Sequence, residues 1–150
     1  MKSSYDESYL PDVQKNLGFF FQFVLCNVKL SPLEAQEVFL ASEIPNQIEM
    51  GNPDFLCGKS GLELAMICFP DSDLSEMIRK SLSEPFYPEA EYWSGHVLAY
   101  CQWKNSFSFA EILEKFPLEL LLNSYHLYHE ADISKIDEAI VAAVKNINKK

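Results

Sequence analysis

Apolar residues recur at helical spacing along almost the whole of this 150-residue chain. That pattern leaves little room for a sheet. Val13, Leu17, Phe20, Phe21, Val24, Leu25 and Val28 trace one buried helical face. Strict alternation never holds over a long window, and no Asn-Gly or Asp-Gly hairpin turn joins two apolar runs. The expected fold is all-α: a compact single domain over residues 1–150, built from seven to nine short and medium helices.

Local signals place the helices. The first runs from near Asp12 to about Asn27, with Phe19 and Phe23 widening its apolar face and Gly18 letting a neighbour approach closely. Ser31, Ser60 and Ser108 each precede a glutamate by three residues, the spacing of a capping box. Pro32 suits a first helical position, where a missing N–H costs nothing. Leu33, Val38 and Phe39 then face the core. A short helix over 46–50 ends at Gly51, and residues 52–58 read as a turn or a short extended stretch. Leu64, Ile67 and Cys68 continue from Ser60, and Leu74, Met77, Ile78 and Leu82 give a weaker amphipathic helix.

Pro88 opens a central helix over about 89–104, apolar nearly all round, on which Trp93, Val97 and Tyr100 are expected to be mostly buried. Short helices follow to Lys115 and from Pro117 through Tyr125. The last is capped at Ser134, with Ile136, Ile140, Val144 and Ile147 on its apolar stripe and Lys145, Lys149 and Lys150 at its negative end.

Charge narrows the partners. Twelve Lys and Arg against 22 Asp and Glu give a net charge of −10. Residues 31–95 hold 3 basic and 12 acidic groups, so 3 − 12 = −9 of it. Such a surface repels nucleic acid and anionic lipid, whose binding needs basic side chains on phosphates. No run is long and apolar enough for a membrane span, and the first ten residues carry no secretory signal. Cytoplasm is the expected compartment, with Cys26, Cys57, Cys68 and Cys101 reduced. Glu34, Glu37, Glu43 and Glu49 form a candidate acidic docking face for a basic protein partner; simple solubility explains the same charge.

Three constellations bear on chemistry. Tyr92, Trp93, His96, Tyr100 and Trp103 lie along one helix, either lining a pocket with His96 as acid or base, or packing the core. His126, His129 and Glu130 share a helix end, a bare metal pattern or a hydrogen-bonded terminus. Asn52, Ser60 and Glu63 sit between turns, where Gly58-Lys-Ser-Gly61 lacks phosphate-loop spacing and capping is the simpler role. No ligand-type spacing argues for a metal or cofactor.

In this order, Asp6-Glu-Ser-Tyr9-Leu-Pro-Asp-Val-Gln-Lys-Asn-Leu-Gly18, Gly51-Asn-Pro53, Gly58-Lys-Ser-Gly-Leu-Glu-Leu64, Glu91-Tyr-Trp-Ser-Gly95, Leu98-Ala-Tyr-Cys-Gln-Trp103 and His129-Glu-Ala-Asp132 span nearly the whole chain. As an ordered set they resemble a family of short proteins, without assigned activity, from anaerobic gut bacteria of the Firmicutes. Cys101 stands where that pattern has an aromatic, and Phe55-Leu-Cys57 replaces a more β-branched stretch. The family's genes often lie beside those of small proteins resembling ADP-ribosyltransferases. The resemblance implies a toxin–antitoxin or related regulatory module, and no catalytic residues. The function expected is therefore a non-enzymatic protein-interaction module, an antitoxin or accessory subunit. A small-molecule binder or enzyme using the His96 helix, and a purely structural homo-oligomer, are the alternatives.

Overall fold

A computed structural model describes residues 4–146. Ile147, Lys149 and Lys150 of the expected last stripe lie outside the described residues. The expected all-α class is what the structure shows: every regular element among the described residues is helical.

Asp6 accepts a hydrogen bond from the Ser8 amide and starts a single 3-10 turn, Glu7–Tyr9. Helix α1, Leu10–Gln22, follows directly, so it begins two residues before the expected Asp12. Pro11 explains the earlier start, since proline fits a first turn. The helix does not stop at Gln22. It loosens into a π turn, Phe23–Asn27, in which the Val28 amide reaches the Phe23 carbonyl at 3.0 Å. Lys29 then closes it in the left-handed region at φ +69°, with the Leu30 amide bonded back to Val24.

Helix α2, Pro32–Ala41, has the complete capping box at Ser31 and Glu34. Its buried residues are Ala35 and Phe39, and Leu33 is 60% exposed, against expectation. Leu33 lies about 200° round the helix from the buried Ala35, on the solvent side. Helix α3, Ile44–Glu49, ends at Gly51 with φ +77°. Residues 53–56, which could have been extended, form the one-turn helix α4, because Asn52 accepts from the Asp54 amide. Helix α5, Gly61–Cys68, carries the second capping box. Helix α6, Ser75–Ser83, buries no residue.

Helix α7, Ala90–Asn105, lies against the length of α1. Its covered face is Ser94, Gly95, Val97, Leu98, Ala99, Cys101 and Gln102. Trp93 and Tyr100, expected to be mostly buried, are half-buried. Small residues won the inner face because α1 comes too near for rings. A β-carbon on Gly95 would stand 2.7 Å from the Gly18 nitrogen and nearer still to the Leu17 carbonyl.

The third box opens α8, Phe109–Lys115. Helices α9, Leu118–Asn123, and α10, Tyr125–Tyr128, lead to α11, Ile133–Lys145. The cap of α11 is Asp132, whose carboxylate accepts from the Ser134 amide, so Ser134 lies inside the helix it was expected to cap. Asp132 and Ser134 are both good caps; the charged acceptor took the post. Eleven α-helical segments result among the described residues, two more than the upper expectation, the additions being the one-turn α4 and α10.

The core is aromatic. Phe20 packs on Phe21, Phe21 on Phe39, and Phe39 edge-on to Phe109, with centroids 5.0, 5.1 and 5.2 Å apart. Polar groups on distant elements finish the helix ends around it. Glu49 accepts from the Phe109 amide and Gln36 from the Leu118 amide, each at 2.8 Å.

Candidate functional site

A groove of about 990 Å³ lies between α1 with its π turn, α5 and α6. The groove's size reaches the top of the usual small-ligand range of about 300–1,000 Å³. Helical spacing puts Lys15, Phe19 and Gln22 of α1 and Cys26 of the π turn along its floor, four, three and four residues apart. Leu62 and Met66 of α5 and Met77, Ile78 and Leu82 of α6 make the walls, and Phe86 closes one edge.

Phe86 is held there by other rings. It contacts Phe19 at 5.0 Å and Tyr92 at 5.2 Å, and Phe19 meets Tyr92 edge-on at 5.2 Å. Gly18 permits this triangle, because a β-carbon on it would stand 2.7 Å from the Tyr92 ring.

Two carboxamides line the groove without partners. Asn16 is 6% exposed, and its side chain makes no hydrogen bond among the described residues. The Gln22 Oε1 is buried and likewise unpaired. The Gln22 oxygen carries a desolvation cost that native structures normally offset with a partner. Three lysines, Lys15, Lys29 and Lys80, also line the groove, outside every ion pair of the described residues. Of the lining acids, Glu63 is engaged in its capping box and Glu76 pairs with Arg79. A π turn and a left-handed lysine at one end are further departures from regular helix, of the sort that gather at working sites.

The groove is not where the sequence placed a pocket. Of Tyr92, Trp93, His96, Tyr100 and Trp103, none lines it. His96 stacks on Tyr92 with centroids 6.4 Å apart, and its Nε2 lies 3.1 Å from the Gln14 amide nitrogen. That nitrogen is a donor, so the ring accepts there and is neutral. Burial agrees, holding His96 below its ordinary value. Trp93 turns the other way and meets Tyr125 edge-on at 5.6 Å. Trp103 donates to the Tyr5 carbonyl at 2.8 Å and ties down the amino-terminal segment.

The polar cluster separates into helix ends. Asn52 caps α4 and donates to Gln47, while Ser60 and Glu63 cap α5. His126 is exposed, and the His129 Nδ1 sits 2.8 Å from the Tyr125 carbonyl, with Glu130 beside its other nitrogen. No group of three or more metal-ligating side chains comes together among the described residues. Among the four glutamates of the acidic face, Glu34 is engaged with the Ser31 amide and Glu49 with Phe109. Burial raises the Glu49 carboxyl, and the Phe109 N–H opposes that rise. Glu37 and Glu43 stand exposed.

Sequence reasoning missed the groove. Its trace was present in Lys15, Asn16 and Gln22, polar residues set into an apolar stripe, and in the width of the apolar face of α1. All four cysteines are free, and no helix among the described residues is long and apolar enough to cross a membrane. The chain matches no protein-family model, no curated protein and no solved structure.

Proposed function

We propose that this protein is a non-enzymatic binding module whose working surface is the groove between α1, α5 and α6, and whose ligand is a small amphipathic molecule. The observation that carries this reading is Asn16, a nine-tenths buried residue whose carboxamide has no hydrogen bond among the described residues, in a groove whose apolar wall is Phe19, Leu62, Met66, Met77, Ile78 and Leu82. A few placed polar groups in an apolar concavity are the usual makeup of a ligand site. Binding is favoured over catalysis because the half-buried His96 is committed to Gln14 away from the groove.

A second reading, a protein partner, draws on the rim. Leu82 is 72% exposed, Tyr87 71% and Phe86 48%, beside Glu84 and Glu89. Apolar side chains gathered in this way suit the face of a partner's helix.

Titration with anilinonaphthalene sulfonate separates the first reading from none. The folded protein is expected to enhance its fluorescence with one-to-one saturation. Met66→Trp, which fills the groove from α5, is expected to abolish the enhancement with unchanged helical content. A probe signal indifferent to Met66→Trp would sink the groove reading.

A further inference from the structure

The groove reading leaves unstated which end takes the polar part of a ligand, and the inference below rests on that reading. At one end α5 begins hard against α1. A β-carbon on Gly61 would stand 2.6 Å from the Asn16 carbonyl and 2.7 Å from the Phe20 nitrogen. Residue 61 thus carries no side chain over the first amides of the helix. The capping box employs the Ser60 and Glu63 amides. It leaves those of Gly61 and Leu62 with no hydrogen bond among the described residues, as helix starts do. Such amides, with the helix dipole behind them, favour an anion.

Two side chains converge on the same end. Asn16, nine-tenths buried and unpartnered, lines the groove beside Gly61. Lys15, its neighbour in sequence, lines it too and forms no ion pair among the described residues. The groove lining thus offers an ammonium, a carboxamide and two unbonded backbone N–H groups, and Glu63 there has its carboxylate on the Ser60 amide. The far end is different. Lys29 and Lys80 stand there with Glu84, and the charges of Glu91, Glu89 and Glu84 add to burial in pushing the Cys26 thiol up.

We infer that the groove binds a single-chain amphiphile with an anionic head, carboxylate or phosphate, its head on the amino-terminal end of α5 between Lys15 and Asn16. Its chain lies along Phe19 and Phe23 toward the π turn, against Met66 and Ile78. The head answers the donors that the fold leaves unbonded. The chain covers Phe19, Met66 and Ile78, which water now meets in part.

The test is calorimetric titration of the full chain with dodecanoate, dodecyl phosphate and dodecanol, each below its aggregation limit. One or both anions are expected to bind one-to-one, about tenfold or more tighter than the alcohol, the scale of one charge-assisted hydrogen bond. Which anion binds tighter identifies the head. Lys15→Gln, at an exposed position, is expected to erase that margin and keep the alcohol's affinity. Asn16→Asp, which sets a carboxylate against the head, is expected to do the same, with thermal unfolding as the check on folding. Equal binding of acid and alcohol overturns the inference and leaves the groove reading standing. So does a loss on Lys29→Gln as large as on Lys15→Gln. Absence of binding by all three overturns the groove reading, and this inference with it.

Discussion

Gly95 of α7 packs directly on Leu17 of α1, close enough that its missing side chain sets the distance between the two longest-lying helices of the core. A β-carbon there would press on the Leu17 carbonyl and stand 2.7 Å from the Gly18 nitrogen, both backbone atoms that cannot swing aside. Gly95→Ala is expected to destabilise the protein by about 1–3 kcal/mol, as overpacking does. Gly18→Ala meets the Tyr92 ring instead, which can turn, so its cost is expected to be smaller. Denaturant midpoints of the two variants check the order.

The neutral state of His96 predicts a pH dependence. Its folded value lies below its unfolded one, because burial disfavours the imidazolium, and the Gln14 donor at 3.1 Å disfavours it further. The unfolded chain then binds more protons near the ordinary histidine value, so stability rises with pH there. Acidification from pH 7.5 to below 6 is expected to lower stability through this group. His96→Gln is expected to flatten that part of the profile, read from thermal unfolding across pH.

Capping assignments are testable one by one. Ser31→Ala, Ser60→Ala and Ser108→Ala each remove a side chain that accepts from the third amide of a helix. Each is expected to cost about 0.5–2 kcal/mol. At the last helix the loss should follow Asp132→Ala and not Ser134→Ala, since Asp132 holds the cap. Chemical denaturation of the pair decides it.

Lys29 offers the opposite sign. Its φ of +69° suits glycine, and a lysine there carries the strain of a β-carbon in the left-handed region. Lys29→Gly is expected to leave stability unchanged or raise it by about 0.5–1 kcal/mol, the relief of strain being partly offset by the greater freedom of the unfolded chain. A marked loss of stability on that change would show that the Lys29 side chain, and not the backbone turn, holds the end of the π segment.

Much of the local structure was legible in the residues themselves. Ser31-Pro-Leu-Glu34, Ser60-Gly-Leu-Glu63 and Ser108-Phe-Ala-Glu111 each close a hydrogen-bonded ring within four residues, so no distant element has to agree. The all-helical class was legible for a related reason: the period of apolar residues is a property of the segment alone. Choices between near-equal local options were not. Asp132 and Ser134 both cap well, and residues 53–56 can be a turn of helix or an extended piece.

Which face of a helix goes inward was settled only by its neighbours. Trp93 and Tyr100 carry more apolar surface than Gly95 and Ala99, yet the small residues took the inner side, because the gain of a close backbone approach along α1 exceeds what a ring would bury. Leu33 faces water because it lies on the side of α2 opposite the buried Ala35. The groove is the extreme case. Residues 15–27, 61–66 and 76–86 hold no motif in common, and only the packing of three helices brings Lys15, Asn16 and the start of α5 into one groove. Residue order alone carried the helical class and the three serine capping boxes, since hydrogen bonds over three or four residues make them. Tertiary structure decided which side chains share a site, since that depends on distances between segments that no local pattern records.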